Sequence, residues 1–256
     1  MENLIVKNQK FKNLSEMFGI ENNISIIAGP CSIESYEQIE LVAQTLVKNN
    51  VRFIRGGAYK PRTSPYDFQG LGIDGLKILN YIRNKYHLLA VSEIMDPRDV
   101  EILENYTDIM QIGSRNMQNF SLLREVGQSK HPVLLKRGMM ATIDEFLLAA
   151  EYIVLNGNKN IILCERGIRT FESNTRFTLD FSCIAIIKQE TSLPIIADLS
   201  HSLGRTDIIF LLAKAVKSMG TDGIMIETHP FPEKALSDKN QQLNLEQLTK
   251  LIDILL

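Results

Sequence analysis

Val51-Arg52-Phe53-Ile54-Arg55-Gly56-Gly57-Ala58-Tyr59-Lys60-Pro61-Arg62-Thr63-Ser64 reads as a short apolar strand running straight into a cationic, glycine-rich loop. Gly56-Gly57 lets the backbone turn sharply and approach a ligand closely. Pro61 stiffens the loop and removes one donor. Arg55, Lys60 and Arg62 offer charge-assisted donors suited to phosphate or carboxylate. A solvated basic loop is the plain alternative. Its place at the C-terminal end of a strand favours a site, because α/β folds build their sites there.

The same strand-then-polar-loop unit recurs on both sides of this stretch. Apolar runs at 24–28, 51–54, 88–91, 109–112, 133–135, 161–163, 194–197 and 223–226 are each short enough for a strand buried on both faces. Helical signals separate them. Ser35-x-x-Gln38 and Thr142-x-x-Glu145 read as capping boxes, and Asp96-Pro97 as a capped start with proline in the first turn. Ile39, Val42, Ala43, Leu46 and Val47 keep helical spacing. Eight strand–helix units without a Pro/Gly/Ser linker predict one α/β domain over 24–256, a (β/α)8 TIM barrel. Residues 1–23 read as a polar N-terminal extension or short hairpin. A doubly wound open sheet stays possible, since periodicity does not distinguish closed from open sheets.

Composition bounds the function. The chain has 256 residues, 45% hydrophobic and 23% charged, with net charge -2. That balance speaks against a nucleic-acid partner, so any basic cluster is local. No apolar run approaches the ~18 residues of a membrane span, and the first residues lack a signal peptide's apolar core. The three cysteines, Cys31, Cys164 and Cys183, are too few and scattered for a disulfide framework. A reducing, cytoplasmic setting is expected.

In a parallel barrel every strand's C-terminal end opens on one face, so the polar residues there converge. One subset is cationic: Arg55, Lys60, Arg115, Lys136 and Arg166. Separate surface pairs would account for any one of them. All five in one mouth call for an anion carrying more than one charge. A second subset is Cys31, His201, Glu227 and a later carboxylate, Asp238, a mixed S/N/O set for a divalent transition metal. A lone cysteine more often packs and a lone histidine more often hydrogen-bonds, and no CxxC or HExxH spacing supports the metal. Cys164 and Cys183 read as packing residues. Asp198 is placed to orient His201 or to sit near an activated water, and His229 to support Glu227.

Longer motifs carry a resemblance. Gly29-Pro30-Cys31-Ser32-x-Glu34, the 55–64 stretch, Gln111-Ile112-Gly113-Ser114-Arg115-Asn116 and Leu135-Lys136-Arg137-Gly138 resemble 3-deoxy-D-arabino-heptulosonate 7-phosphate (DAHP) synthase. So do Cys164-Glu165-Arg166-Gly167-Ile168-Arg169-Thr170-Phe171-Glu172, Ser200-His201-Ser202, Glu227-x-His229-Pro230 and Glu233-Lys234-Ala235-Leu236-Ser237-Asp238. The likeness spans roughly 24–250 and is to the microbial branch related to 3-deoxy-D-manno-octulosonate 8-phosphate (KDO8P) synthase.

The resemblance implies a transferase that condenses phosphoenolpyruvate with erythrose 4-phosphate, the first step of the shikimate pathway to aromatic amino acids. It implies a divalent metal (Mn, Fe, Co or Zn) on Cys31, His201, Glu227 and Asp238. It puts phosphoenolpyruvate on Arg115, Lys136 and Arg166, near Arg55, Lys60, Glu93, Gly113 and Ser114. Erythrose 4-phosphate falls to Lys60, Pro61, Arg62, Thr63 and Ser64. Lys60 and Glu93 are expected to act catalytically, with His201. A homodimer or homotetramer is implied. The Lys-Pro-Arg-Thr-Ser loop argues against KDO8P synthase, whose loop typically contains asparagine. A catalytically silent barrel acting as a binding partner is the other alternative. The chain departs from the family at Leu199, Arg205-Thr206, Lys239 and Phe177, the last replacing a usual asparagine. With about 23 residues before the barrel, inhibition by phenylalanine, tyrosine or chorismate is not expected.

Overall fold

The computed structural model describes residues 3–20 and 24–256. Strands β1 (Ser25–Gly29), β2 (Phe53–Arg55), β3 (Leu89–Ile94), β4 (Ile109–Ile112), β5 (Val133–Lys136), β6 (Ile161–Glu165), β7 (Ile195–Asp198) and β8 (Gly223–Glu227) pair in parallel, in chain order, and close β8 onto β1. This is the (β/α)8 barrel, and the open-sheet alternative falls. Between the strands run α3 (Tyr36–Lys48), α4 (Ile73–Tyr86), α5 (Val100–Glu104), α6 (Phe120–Gln128), α7 (Ile143–Leu155), α8 (Phe181–Glu190), α9 (Leu199–Leu203) and α10 (Ile209–Ser218); α11 (Leu245–Leu255) ends the fold.

Alternation along each strand explains two cores. Ile26, Ala28, Ile54, Met110, Leu135, Leu163, Ala197 and Ile226 face the helices. Ile27, Phe53, Val91, Ile109, Leu134, Ile162, Cys164, Ile196 and Met225 fill the barrel. One inward step further along the strands, the side chains become Arg55, Glu93, Gln111, Lys136, Arg166, Asp198 and Glu227. The charged layer therefore sits directly above the apolar one, at the strands' C-terminal ends. No helix among the described residues is long and apolar enough to cross a membrane.

The N-terminal extension holds no hairpin among its described residues. It forms two short helices, α1 (Ile5–Asn8) and α2 (Leu14–Phe18). Leu14 and Ile20, with Met17 and Phe18, join the barrel's inner cluster. Phe18 meets Phe53 edge to face, with centroids 5.1 Å apart. Residues 1–2 and 21–23 of that extension lie outside the described residues. Of the two expected capping boxes, the one at Thr142 is complete. Ser35 caps α3, but the Gln38 side chain turns to Ser32 O (3.0 Å) instead of returning to Ser35.

Candidate active site

A cavity of about 390 Å³ opens at the C-terminal end of the barrel. Arg55, Lys60, Pro61, Arg62, Thr63, Glu93, Gly113, Ser114, Arg115, Lys136, Arg166, His201 and Asp238 all line it. Cys31 and Glu227 lie beneath, fully buried. Ser64 does not line the cavity; its hydroxyl accepts from the Tyr66 N–H (3.3 Å). Arg169, Arg176, Phe177, Met139, Asp67 and Gln111 complete the wall. Gln111 was within reach of sequence reasoning, since it stands two residues beyond inward-facing Ile109. The other five come from loops, where no period marks them.

The loop after β2 reaches the site through close backbone contact. A Cβ on Gly57 would stand 2.6 Å from Cys31 O, and one on Gly56 would strike the Ile33 side chain at 2.7 Å. Both glycines have ordinary negative-φ backbone. They are needed for approach and not for a sharp turn. The Lys60 ammonium then donates to Cys31 O (2.9 Å) and Cys31 Sγ (3.1 Å). Burial works against that ammonium, but Cys31, Glu227 and Glu93 outweigh it and hold its pKa above the usual lysine value. Opposite, a Cβ on Gly113 would fall 2.1 Å from Glu93 Oε1, and Gln111 donates to Glu93 Oε2 (3.2 Å).

His201 sits on the helical turn α9. Asp198 caps α9, accepting from the His201 backbone N–H at 3.0 Å, and Leu199 is fully buried beneath. The turn at Leu199 is thus held by a cap and a core contact. Asp198 Oδ2 also takes Lys136 Nζ (2.5 Å) and His201 Nδ1 (2.8 Å). Burial alone would raise the Asp198 carboxyl; His201 and Lys136 outweigh it and hold it well below the carboxylate range. Burial likewise outweighs the neighbouring carboxylates and keeps His201 below the usual histidine pKa. The neutral ring then carries its proton on Nδ1, leaving Nε2 as an acceptor.

That Nε2 faces Glu227 Oε1 across 3.3 Å, an acceptor against an acceptor. Cys31, Glu227 and Asp238 bring one ligand atom each to within 4.8 Å of one another. Cys31 Sγ lies 3.5 Å from Asp238 Oδ2, and burial, with Glu227, pushes its thiol up to about 12. Arg55 (2.7 Å) and Gln241 (2.7 Å) each hold an oxygen of Glu227, while Arg176 (3.3 Å) reaches Asp238. The structure thus gathers three of the four expected donors, and His201 reaches the group through Glu227. A divalent cation there would relieve the facing acceptors and displace the thiol proton, so the chemistry of these side chains fits a transition metal. Asp238 keeps this place in the left-handed region (φ 45°) with Lys239 following it. Gln242 pins the two loops, accepting from Cys31 N–H (3.1 Å) and donating to Ser237 O (2.8 Å). His229, expected to support Glu227, engages Glu34 and Phe231 instead. Its Nδ1 accepts from the Phe231 N–H (2.9 Å), so Nε2–H points to Glu34 Oε2 at 3.4 Å.

Cys164 packs inside the barrel, and Cys183 packs fully buried between sheet and helices.

The phospho-2-dehydro-3-deoxyheptonate aldolase of Thermotoga maritima is 53% identical over 228 residues, covering 89% of this chain and 68% of that protein. The crystal structure of that DAHP synthase superposes with a TM-score of 0.87 at 52% identity, covering 90% of this chain and 67% of the other. A truncated form of the Thermotoga maritima synthase gives 0.84 at 48% identity, covering 90% and 84%. A 2-dehydro-3-deoxyphosphooctonate aldolase of Acidithiobacillus ferrooxidans is 28% identical, covering 93% and 90%. The sequence model described as the DAHP synthetase I family matches residues 3–255. The chain belongs to the DAHP synthetase I family.

Proposed function

We propose that the chain condenses phosphoenolpyruvate with erythrose 4-phosphate and water, giving DAHP and inorganic phosphate at the entry to aromatic amino acid biosynthesis. The observation that carries the reading is the meeting, around one cavity, of Arg115, Lys136 and Arg166 with His201 and Asp238, and with Cys31 and Glu227 directly beneath. The cations neutralise the carboxylate and phosphate of phosphoenolpyruvate and fix its C3 for attack on the aldehyde carbon. Pro61, Arg62 and Thr63 line the sugar phosphate's side, with Ser64 at the loop's end. Lys60, kept charged beside the donor set, gives its proton to the aldehyde oxygen. Glu93 receives a proton from the water that adds at C2, and phosphate leaves with C–O cleavage. A divalent metal (Mn, Fe, Co or Zn) on the four donors would supply Lewis-acid polarisation of the aldehyde.

The test is phosphate release from both substrates, before and after EDTA, with Mn2+ added back. Activity lost and restored supports substrates and metal together. Turnover with arabinose 5-phosphate in place of erythrose 4-phosphate would move the chain to the KDO8P reaction. Neither turnover nor phosphoenolpyruvate binding would leave the silent barrel. The resemblance supports a cytoplasmic homodimer or homotetramer, which light scattering on the purified protein checks.

A further inference from the structure

We infer that Phe177 is a positioning residue for phosphoenolpyruvate: its ring carries the Arg166 guanidinium in place of an ion pair and leaves that group's donors to the substrate. The inference rests on the reading of Arg166 as a phosphoenolpyruvate ligand. Arg166 is 5% exposed, yet among the described residues no carboxylate forms an ion pair with it. Its side chain makes one long hydrogen bond, from Nη1 to Gly167 O at 3.4 Å. The guanidinium carbon stands 3.9 Å from the Phe177 ring centroid. Of the other buried cations of the mouth, Arg55 is paired with Glu227 and Lys136 with Asp198, while Lys60 spends its donors on Cys31 O and Sγ.

A carboxylate partner would occupy the fork of N–H groups that a phosphate or carboxylate needs. An aromatic face attracts the cation through its quadrupole and leaves the in-plane N–H groups unused. The backbone that carries the ring is held in place on three counts. Its own N–H donates to Ser202 O (2.8 Å), next to His201. Thr178, the next residue, pairs with Ile168 through two 2.9 Å hydrogen bonds. Gly167 leaves room, since a Cβ there would stand 2.7 Å from Phe177 Cβ. Phe177 is itself 9% exposed and lines the cavity. Burial holds the guanidinium down at about 10, so it keeps its charge at neutral pH.

The test is calorimetric titration of phosphoenolpyruvate into Mn2+-supplied wild type, Phe177→Leu, Phe177→Met and Phe177→Tyr, with thermal melts to check folding. Two non-aromatic variants keep the test usable where one fails to fold. Leu and Met are expected to weaken phosphoenolpyruvate binding on the order of tenfold, while Tyr stays within about twofold. In turnover, KM for phosphoenolpyruvate should rise more than kcat falls, with KM for erythrose 4-phosphate held. Wild-type affinity in the Leu and Met variants overturns the inference and leaves the functional reading standing. Equal weakening in all three variants also overturns it, by making Phe177 a space-filler. A wild type that does not bind phosphoenolpyruvate overturns both.

Discussion

Asp198 does three jobs with two oxygens: it caps α9, neutralises Lys136 and fixes the proton on His201 Nδ1. Asp198→Asn keeps the shape but presents an amide to two donors. Lys136 is then a buried ammonium without its partner, and the imidazole loses its tautomer lock. Metal affinity is expected to fall 10–100-fold, as for other carboxylates that orient a histidine ligand, with turnover falling alongside. A metal titration followed by a rate assay reads both; unchanged affinity would confine Asp198 to folding. Lys60→Met removes the proposed acid while keeping the side chain's length. Turnover should drop ~10²–10⁴-fold, the range of acid–base catalysis, and near-wild-type rates would remove Lys60 from that role. Glu93→Gln tests the water-side group in the same assay, where unchanged turnover removes it. At this scale the sequence carried residue types and one local pairing, Asp198 with His201, but not the longer-range ones. Nothing in the chain shows that Gln241, in the loop after β8, holds the Glu227 carboxylate.

Elements were more legible, and for a physical reason. Strands buried on both faces must be short apolar runs, so all eight stood out between polar loops. The step from Ile109 to Gln111, or Leu134 to Lys136, is the barrel's pleat written in sequence. What escaped were elements without a period. α9 is a single capped turn, too short to show one. α1 is four residues long and is fixed by a residue far away. Glu151 on α7, 7% exposed, accepts from the Ile5 N–H (2.8 Å) and the Val6 N–H (3.0 Å), so one helix caps another. Glu151→Ala strips two N–H groups of their acceptor. It should cost about 1–3 kcal/mol, lowering Tm by several degrees, with kcat held within about twofold. A melt unmoved by the change would mean that α1 adds nothing to global stability. The N-terminal segment misled for a related reason. Its polar residues dominate the count, while the few that matter, Val6, Phe11, Leu14 and Ile20, are buried against the barrel.

The whole molecule buries three thiols in three different places: Cys31 beneath the cavity, Cys164 inside the barrel and Cys183 between sheet and helices. Burial, the largest effect at each, pushes Cys31 up to about 12 and the other two higher still. Unfolding returns all three to water, where a thiol titrates near ~8.5. A raised folded-state pKa gives stability that is full below the unfolded pKa and lost as pH rises toward the folded one. Here the window opens near pH 9 and closes near or above pH 12. Within it the unfolded chain has released protons that the folded chain keeps. Each thiol then contributes a slope approaching about 1.4 kcal/mol per pH unit against folding. Three together, set against a net stability of ~5–15 kcal/mol, make the metal-free protein alkali-labile well before its lysines titrate. Denaturant midpoints measured between pH 8 and 10 after EDTA should fall steeply. Cys164→Ala and Cys183→Ala should each make the fall shallower by about a third, whatever they do to stability at pH 8. A metal ion takes Cys31 as thiolate, so metal should flatten the slope by a similar share. Midpoints level from pH 8 to 10 in the metal-free protein would show that the buried thiols do not govern its alkaline limit.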